Sequence, residues 1–141
     1  MAIYHLEAKI VSRGAGRSAV AAAAYLSCSR MHNEYDGVQH DYTRKQGLGW
    51  RQVFLPATAP AEWQDRETLW NAVEETETAK DSRLAREFVV ALPIELSEAQ
   101  WEKLLSDFIS GTFVADGMCA DVAIHDPYPC LLYTSDAADE L

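Results

Sequence analysis

The stretch that most constrains this chain is Ser18-Ala-Val-Ala-Ala-Ala-Ala-Tyr25-Leu26-Ser27. Alanine is the best helix former and Ser18 is a natural N-cap, so the spacing predicts a short helix from residue 19 onward. A helix of methyl side chains can lie very close to a sheet, and it leaves open space beside any large group it carries. The one large polar-tipped group here is Tyr25. Just ahead stands Ser12-Arg13-Gly14-Ala15-Gly16-Arg17, two cations and two glycines at the expected helix N-terminus. Free N–H groups and the positive end of the helix dipole suit a phosphate there. Taken alone, Tyr25 reads either as a core residue with its hydroxyl at the rim or as a group presented to that phosphate.

The rest of the chain supplies the sheet. Ile3 to Val11 alternates in part and predicts a first strand. Met31 to Leu48 is polar and carries turn signals at Asn33–Gly37 and Gly47–Gly49. It predicts a loop or small hairpin holding His32, His40, Arg44 and Lys45, either a solvated connection or a flap against DNA. Trp50 to Leu55 is a short strand ended by Pro56. Pro60 to Thr78 predicts one amphipathic helix with Trp63, Leu69, Trp70 and Val73 inward and Glu74-Glu75-Thr76-Glu77 as a solvated end. Glu87 to Leu92 reads as a central strand buried on both sides. Ser97 and Gln100 form a capping box for a helix to about Ser110, with Trp101, Leu104, Leu105, Phe108 and Ile109 inward. Met118 to His125 is a last strand. The order β-α-β-α-β-α-β fits a one-domain α/β (α+β) sandwich.

The net charge of −10 disfavours a general nucleic-acid binder, but the charge is unevenly placed. Residues 1–51 hold seven Lys/Arg against four Asp/Glu, and the remainder five against eighteen. Any DNA surface is therefore expected in the first third. The three cysteines, Cys28, Cys119 and Cys130, have no metal-ligand spacing and read as reduced thiols of a cytoplasmic protein. No apolar run approaches the roughly 18 residues of a membrane span.

The opening strand Met1 to Ile10, the Ser12–Ser18 loop, Tyr25, and His40-Asp-Tyr42-Thr-Arg44-Lys45 together resemble the start of the MobA/MobL relaxases, the MobQ-class conjugative nickases. The likeness continues through Leu84-Ala-Arg86-Glu87-Phe88, Ala91-Leu-Pro93 and Ala123-Ile-His125, over roughly residues 1 to 127. It implies an HUH-type domain, with helices around an antiparallel, ferredoxin-like sheet. It also implies that Tyr25 is the nucleophile that nicks one strand at an origin of transfer and keeps a 5′-phosphotyrosine ester. A divalent ion, Mg²⁺ or Mn²⁺, would be held by three histidines, of which His125 matches the first. Glu87 matches an acidic position that could orient a metal-bound histidine or accept the tyrosine proton. On the residues alone, Glu87 could equally pair with Arg86 or Arg83. His5 is structural or DNA-proximal. Arg13, Arg17, Arg44 and Lys45 are the expected contacts to single-stranded DNA, with accessory mobilisation proteins as further partners and no membrane role.

One departure stands out. The family continues past His125 to a strand with His-x-His, whereas no histidine follows His125 here. Cys130 to Asp139 reads as the translation of a transposase-end sequencing adapter. The expected division is therefore a truncated relaxase domain over 1–129 and a non-native tail over 130–141. Such a chain would lack two metal ligands and the strand that completes the sheet, leaving an exposed edge and impaired nicking. The rival reading is a non-catalytic single-stranded DNA-binding module that uses Tyr25 only for stacking.

Overall fold

A computed structural model describes residues 6–92, 95–125 and 129–135, the last three-residue start of which (129–131) as backbone only. The elements are β1 (Leu6–Ser12), α1 (Ala19–Ser27), β2 (Arg30–Asn33), β3 (Val38–Asp41), β4 (Leu48–Phe54), α2 (Arg66–Thr76), β5 (Arg83–Ala91), α3 (Glu98–Ile109), β6 (Cys119–His125) and β7 (Pro129–Ser135). Five strands form one antiparallel sheet in the order β1-β5-β7-β6-β4, and β2 and β3 make a separate hairpin. His5 and Asp126 lie outside the described residues.

Each helix begins where its cap dictates. Ser18 Oγ accepts from Ala21 N–H at α1, Asp65 caps α2 through Thr68 N–H, and Ser97 and Gln100 close the expected capping box on α3. The helix expected as one piece from Pro60 is divided at Asp65: a 3₁₀ turn spans Ala61–Gln64, and α2 starts after it. An aspartate with extended backbone and a free side-chain acceptor suits a new N-cap better than a helix interior.

Pairing partners in an antiparallel sheet share a face, so the register sorts the core into two layers. Cys119, Ala123, Tyr133 and Ala85 face α1 and α2, together with Trp70, Leu69, Val73, Val20 and Leu26. Ala120, Val122, Ile124 and Leu132 face α3 and pack on Trp101, Leu105 and Ile109. Leu104 and Phe108, expected inward, are 47% and 53% exposed. The inward stripe of α3 is narrower than its apolar content because it meets the sheet along one row, 101-105-109. β5 is an interior strand, as expected, but Phe88 to Ala91 are only half-buried.

The largest departure concerns the C-terminal strand. The sheet does not end in a missing strand: β7 lies between β5 and β6, hydrogen-bonded to both. Residues 130–135 therefore supply the centre of the sheet, and the edges are β1 and β4. Leu132, Tyr133, Thr134 and Ser135 are buried, and the Thr134 hydroxyl donates to the Cys119 carbonyl at 2.8 Å. Apolar, aromatic and β-branched residues in succession satisfy a two-sided strand whatever their origin.

Candidate active site at the end of α1

The two ends of α1 carry different kinds of polar chemistry. At the N-terminal end, Arg13 was expected to meet phosphate. Its guanidinium is instead buried, donating to Glu74 Oε2 at 2.7 Å and to the carbonyls of Glu74 and Ala79 at 2.8 and 3.0 Å. Its charged end also covers the Tyr35 ring at 3.9 Å. Glu74, expected in a solvated stretch, is 3% exposed and accepts from the Ala19 N–H at 2.8 Å. A carboxylate thus already occupies the helix N-terminus that seemed suited to phosphate. The glycines serve close approach and a turn: a Cβ on Gly14 would come within 3.2 Å of the Asp81 backbone, and Gly16 has φ of 77°.

Four residues on, Arg17 points to the site. It donates to Glu87 Oε2 at 2.8 Å, and its charge also acts on Tyr133. Glu87 is therefore ion-paired, but with Arg17 and not with Arg83 or Arg86. Strand alternation excludes Arg86, which points away from the face of α1 and is exposed, and Arg83, also exposed, lies at the start of the strand four residues away. Tyr133 lies opposite Glu87 in register. Burial, and then the Glu87 charge, push its phenol above the ordinary value, partly offset by Arg17; the Tyr25 charge adds to the rise.

At the C-terminal end of α1 the Tyr25 ring is 45% exposed, although its helix neighbours Ala24 and Leu26 are fully buried. The methyl-rich helix makes room for it, as expected. Tyr42 meets the ring edge-on at 5.4 Å between centroids, and Lys45 Nζ sits 3.7 Å from its centroid. Lys45 also donates to the Tyr25 carbonyl at 3.2 Å and lies 3.4 Å from His125 Nδ1. The β3–β4 connection that carries Lys45 therefore folds back onto α1. Arg44 is exposed one residue earlier and joins none of these contacts. Arg51, not singled out in the sequence, donates to the Ser27 carbonyl at 2.6 Å and closes the last turn of the helix.

His125 ends β6, next to a bulge in β4 between Leu48 and Trp50, where a Cβ on Gly49 would come within 3.4 Å of the Ile124 carbonyl. Burial, and then the Lys45 charge, pull the imidazole below its ordinary pKa, with the Leu26 main chain acting the other way. Nε2 is buried without a hydrogen-bond partner among the described residues, which is a property of a ligand nitrogen. The rest of the set does not fit a metal centre. No three His, Cys, Asp or Glu groups converge among the described residues. On β7 the register positions that share the face of His125 are Leu131, opposite Ala123, and Tyr133, opposite Asp121. The strand expected to carry His-x-His is present, with leucine and tyrosine at the facing positions.

Tyr133 and Tyr42 are the residues of this cluster that sequence reasoning missed. Alternation in Leu132-Tyr133-Thr134 was the available signal for the first. The second stands within the His40–Lys45 motif quoted above, but was given no role there.

An antiparallel sheet with helices on both faces, and a half-exposed tyrosine on the first helix, is the architecture of a relaxase domain. The model of the MobA/MobL family matches residues 17–135, through the end of β7. The chain belongs to the MobA/MobL family. It is 45% identical over 137 residues to conjugal transfer protein TraA of Rhizobium radiobacter, covering 89% of this chain and 12% of that protein. It is 42% identical to mobilization protein MobL of Acidithiobacillus ferridurans, covering 90% and 33%. A solved structure described as the molecular basis of vancomycin resistance transfer in Staphylococcus aureus superposes with a TM-score of 0.85 at 33% identity, covering 94% of this chain and 69% of that one. The chain thus spans about an eighth to a third of the length of these two relatives.

Proposed function

We propose that this domain nicks single-stranded DNA at an origin of transfer during plasmid mobilisation, with Tyr25 as nucleophile. The observation that carries the reading is the placement of Tyr25: a half-exposed phenol held on its ring face by Lys45 and on its edge by Tyr42, beside His125. In the reaction the Tyr25 oxygen forms a bond to phosphorus as the bond from phosphorus to the 3′ oxygen breaks. The phenol proton passes to Glu87, which is buried in the same cluster, and the 3′ oxygen takes a proton from water. The product is a 5′-phosphotyrosine ester whose energy allows rejoining. Arg17 holds Glu87 in place through their ion pair. Arg44, on the same connection as Lys45, extends the contact to the strand. Accessory mobilisation proteins and a cytoplasmic setting belong to the same reading; among the described residues no helix is long and apolar enough to cross a membrane.

A divalent ion is the usual source of positive charge in this family. The described residues do not assemble a ligand set for one. That same observation favours, as second reading, a single-stranded DNA-binding module in which Tyr25 and Tyr42 stack on bases. The test is a denaturing-gel assay for covalent protein–oligonucleotide adducts with Mg²⁺ or Mn²⁺, using the 141-residue chain and its Tyr25→Phe variant. Adducts lost in the variant, with oligonucleotide affinity retained, are the expected result. Adducts that persist or move to Tyr35 or Tyr42 assign the nucleophile elsewhere, and binding without any adduct supports the second reading.

A further inference from the structure

We infer that Lys45 is the resident cation of this site: it contacts the phosphate brought to Tyr25 and opposes a divalent ion at His125. The inference rests on the site proposed above and departs from a purely metal-based one. Three observations converge on the ammonium. It lies 3.7 Å from the centroid of the Tyr25 ring, donates to the Tyr25 carbonyl at 3.2 Å, and stands 3.4 Å from His125 Nδ1. A phosphate presented to the Tyr25 oxygen next to His125 thus approaches a fixed positive charge. That charge is partly shielded from water, and an ion pair in such a setting is stronger than one in bulk solvent. The three protons of an ammonium also leave a donor for a phosphate oxygen beyond its hydrogen bonds to the Tyr25 carbonyl and His125.

The same placement works against a metal ion. An imidazole nitrogen facing an ammonium is held as a hydrogen-bond acceptor, and a dication on that nitrogen must displace Lys45. A dication on Nε2 requires a proton on Nδ1, which then confronts a group that only donates. Either route meets like-charge repulsion at short range. Two of the three expected ligand positions are leucine and tyrosine by register, so little coordination offsets that repulsion. Lys45 therefore supplies a fixed positive charge beside Tyr25 and His125 in this chain.

The test uses the 141-residue chain with Lys45→Met and Lys45→Arg, each checked by near-UV circular dichroism and thermal melting. Affinity for a short fluorescent single-stranded oligonucleotide is measured by anisotropy across a salt series, in EDTA and in Mg²⁺, and Mn²⁺ binding by calorimetry. Wild-type affinity is expected to be the same in EDTA and in Mg²⁺. Lys45→Met should weaken it about tenfold, as for loss of one charged hydrogen bond, and lower the salt slope by about 0.7. Lys45→Arg should recover most of the affinity. Mn²⁺ should bind the Met variant several-fold more tightly than the wild type. Oligonucleotide affinity indifferent to Lys45→Met, or Mn²⁺ affinity unchanged by it, overturns the inference. If the adduct assay fails while these shifts appear, the Tyr25 chemistry falls and the Lys45 contact stands. If adducts form and Lys45→Met changes nothing, Lys45 alone is wrong.

Discussion

Arg13 and Arg17 leave the same short loop, four residues apart, and do opposite work. Arg13 turns inward, and its side-chain hydrogen bonds tie the start of α1 to the end of α2 and the segment just after it, while its charged end covers Tyr35 of the hairpin. Its side chain is 8% exposed and that of Glu74 is 2% exposed. Arg17 stays 37% exposed and pairs with Glu87 at the rim of the site. The N-terminal end of α1 is thus tied into the fold by Arg13 and Glu74, although Arg13 Nε is itself buried without a hydrogen-bond partner among the described residues. The C-terminal end keeps a half-exposed phenol, a partly shielded ammonium and a buried imidazole nitrogen without a partner among the described residues. What separates the two ends is exposure: at one, the charges are buried against each other, and at the other they stand around a half-exposed phenol.

The comparison breaks most sharply at Arg13. Arg13→Met leaves the Glu74 carboxylate buried without its cation, and removal of one partner of such a pair costs about 3–5 kcal/mol. Urea denaturation should show that loss. A stability change under about 1 kcal/mol, accompanied by weaker oligonucleotide binding, would return Arg13 to the DNA surface.

The second prediction concerns the strand that replaces the expected one. Combining Leu131→His with Tyr133→His puts imidazoles at the β7 positions in register with Ala123 and Asp121, on the face of His125. Calorimetry should then show Mn²⁺ affinity higher by on the order of tenfold or more, and nicking should rise with it. Unchanged affinity in a folded variant would mean that β7 does not hold the ligand positions.

Arg17 sets the smallest effect. Arg17→Ala exposes a half-open pair to water, so a stability loss of about 1 kcal/mol is expected. A salt slope for oligonucleotide binding lower by about 0.7 is expected as well. An unchanged slope would make Arg17 a holder of Glu87 only.

Much of this molecule is local physics and was legible in the sequence. The caps at Ser18 and Ser97, the alanine helix, the inward set Trp63, Leu69, Trp70 and Val73, and the β6 strand all follow from short-range propensity and periodicity. So does the half-exposed position of Tyr25, because methyl neighbours cannot cover it. The partners of charged groups were not legible. Arg13 with Glu74 and Arg17 with Glu87 are separated by 61 and 70 residues, and only the packing of α2 and β5 on α1 chooses between them. The central place of β7 was hidden for the same reason. A strand buried on both sides needs only suitable side chains and an open position between two others. The sequence of residues 130–135 meets the first condition, and the sheet alone provides the second.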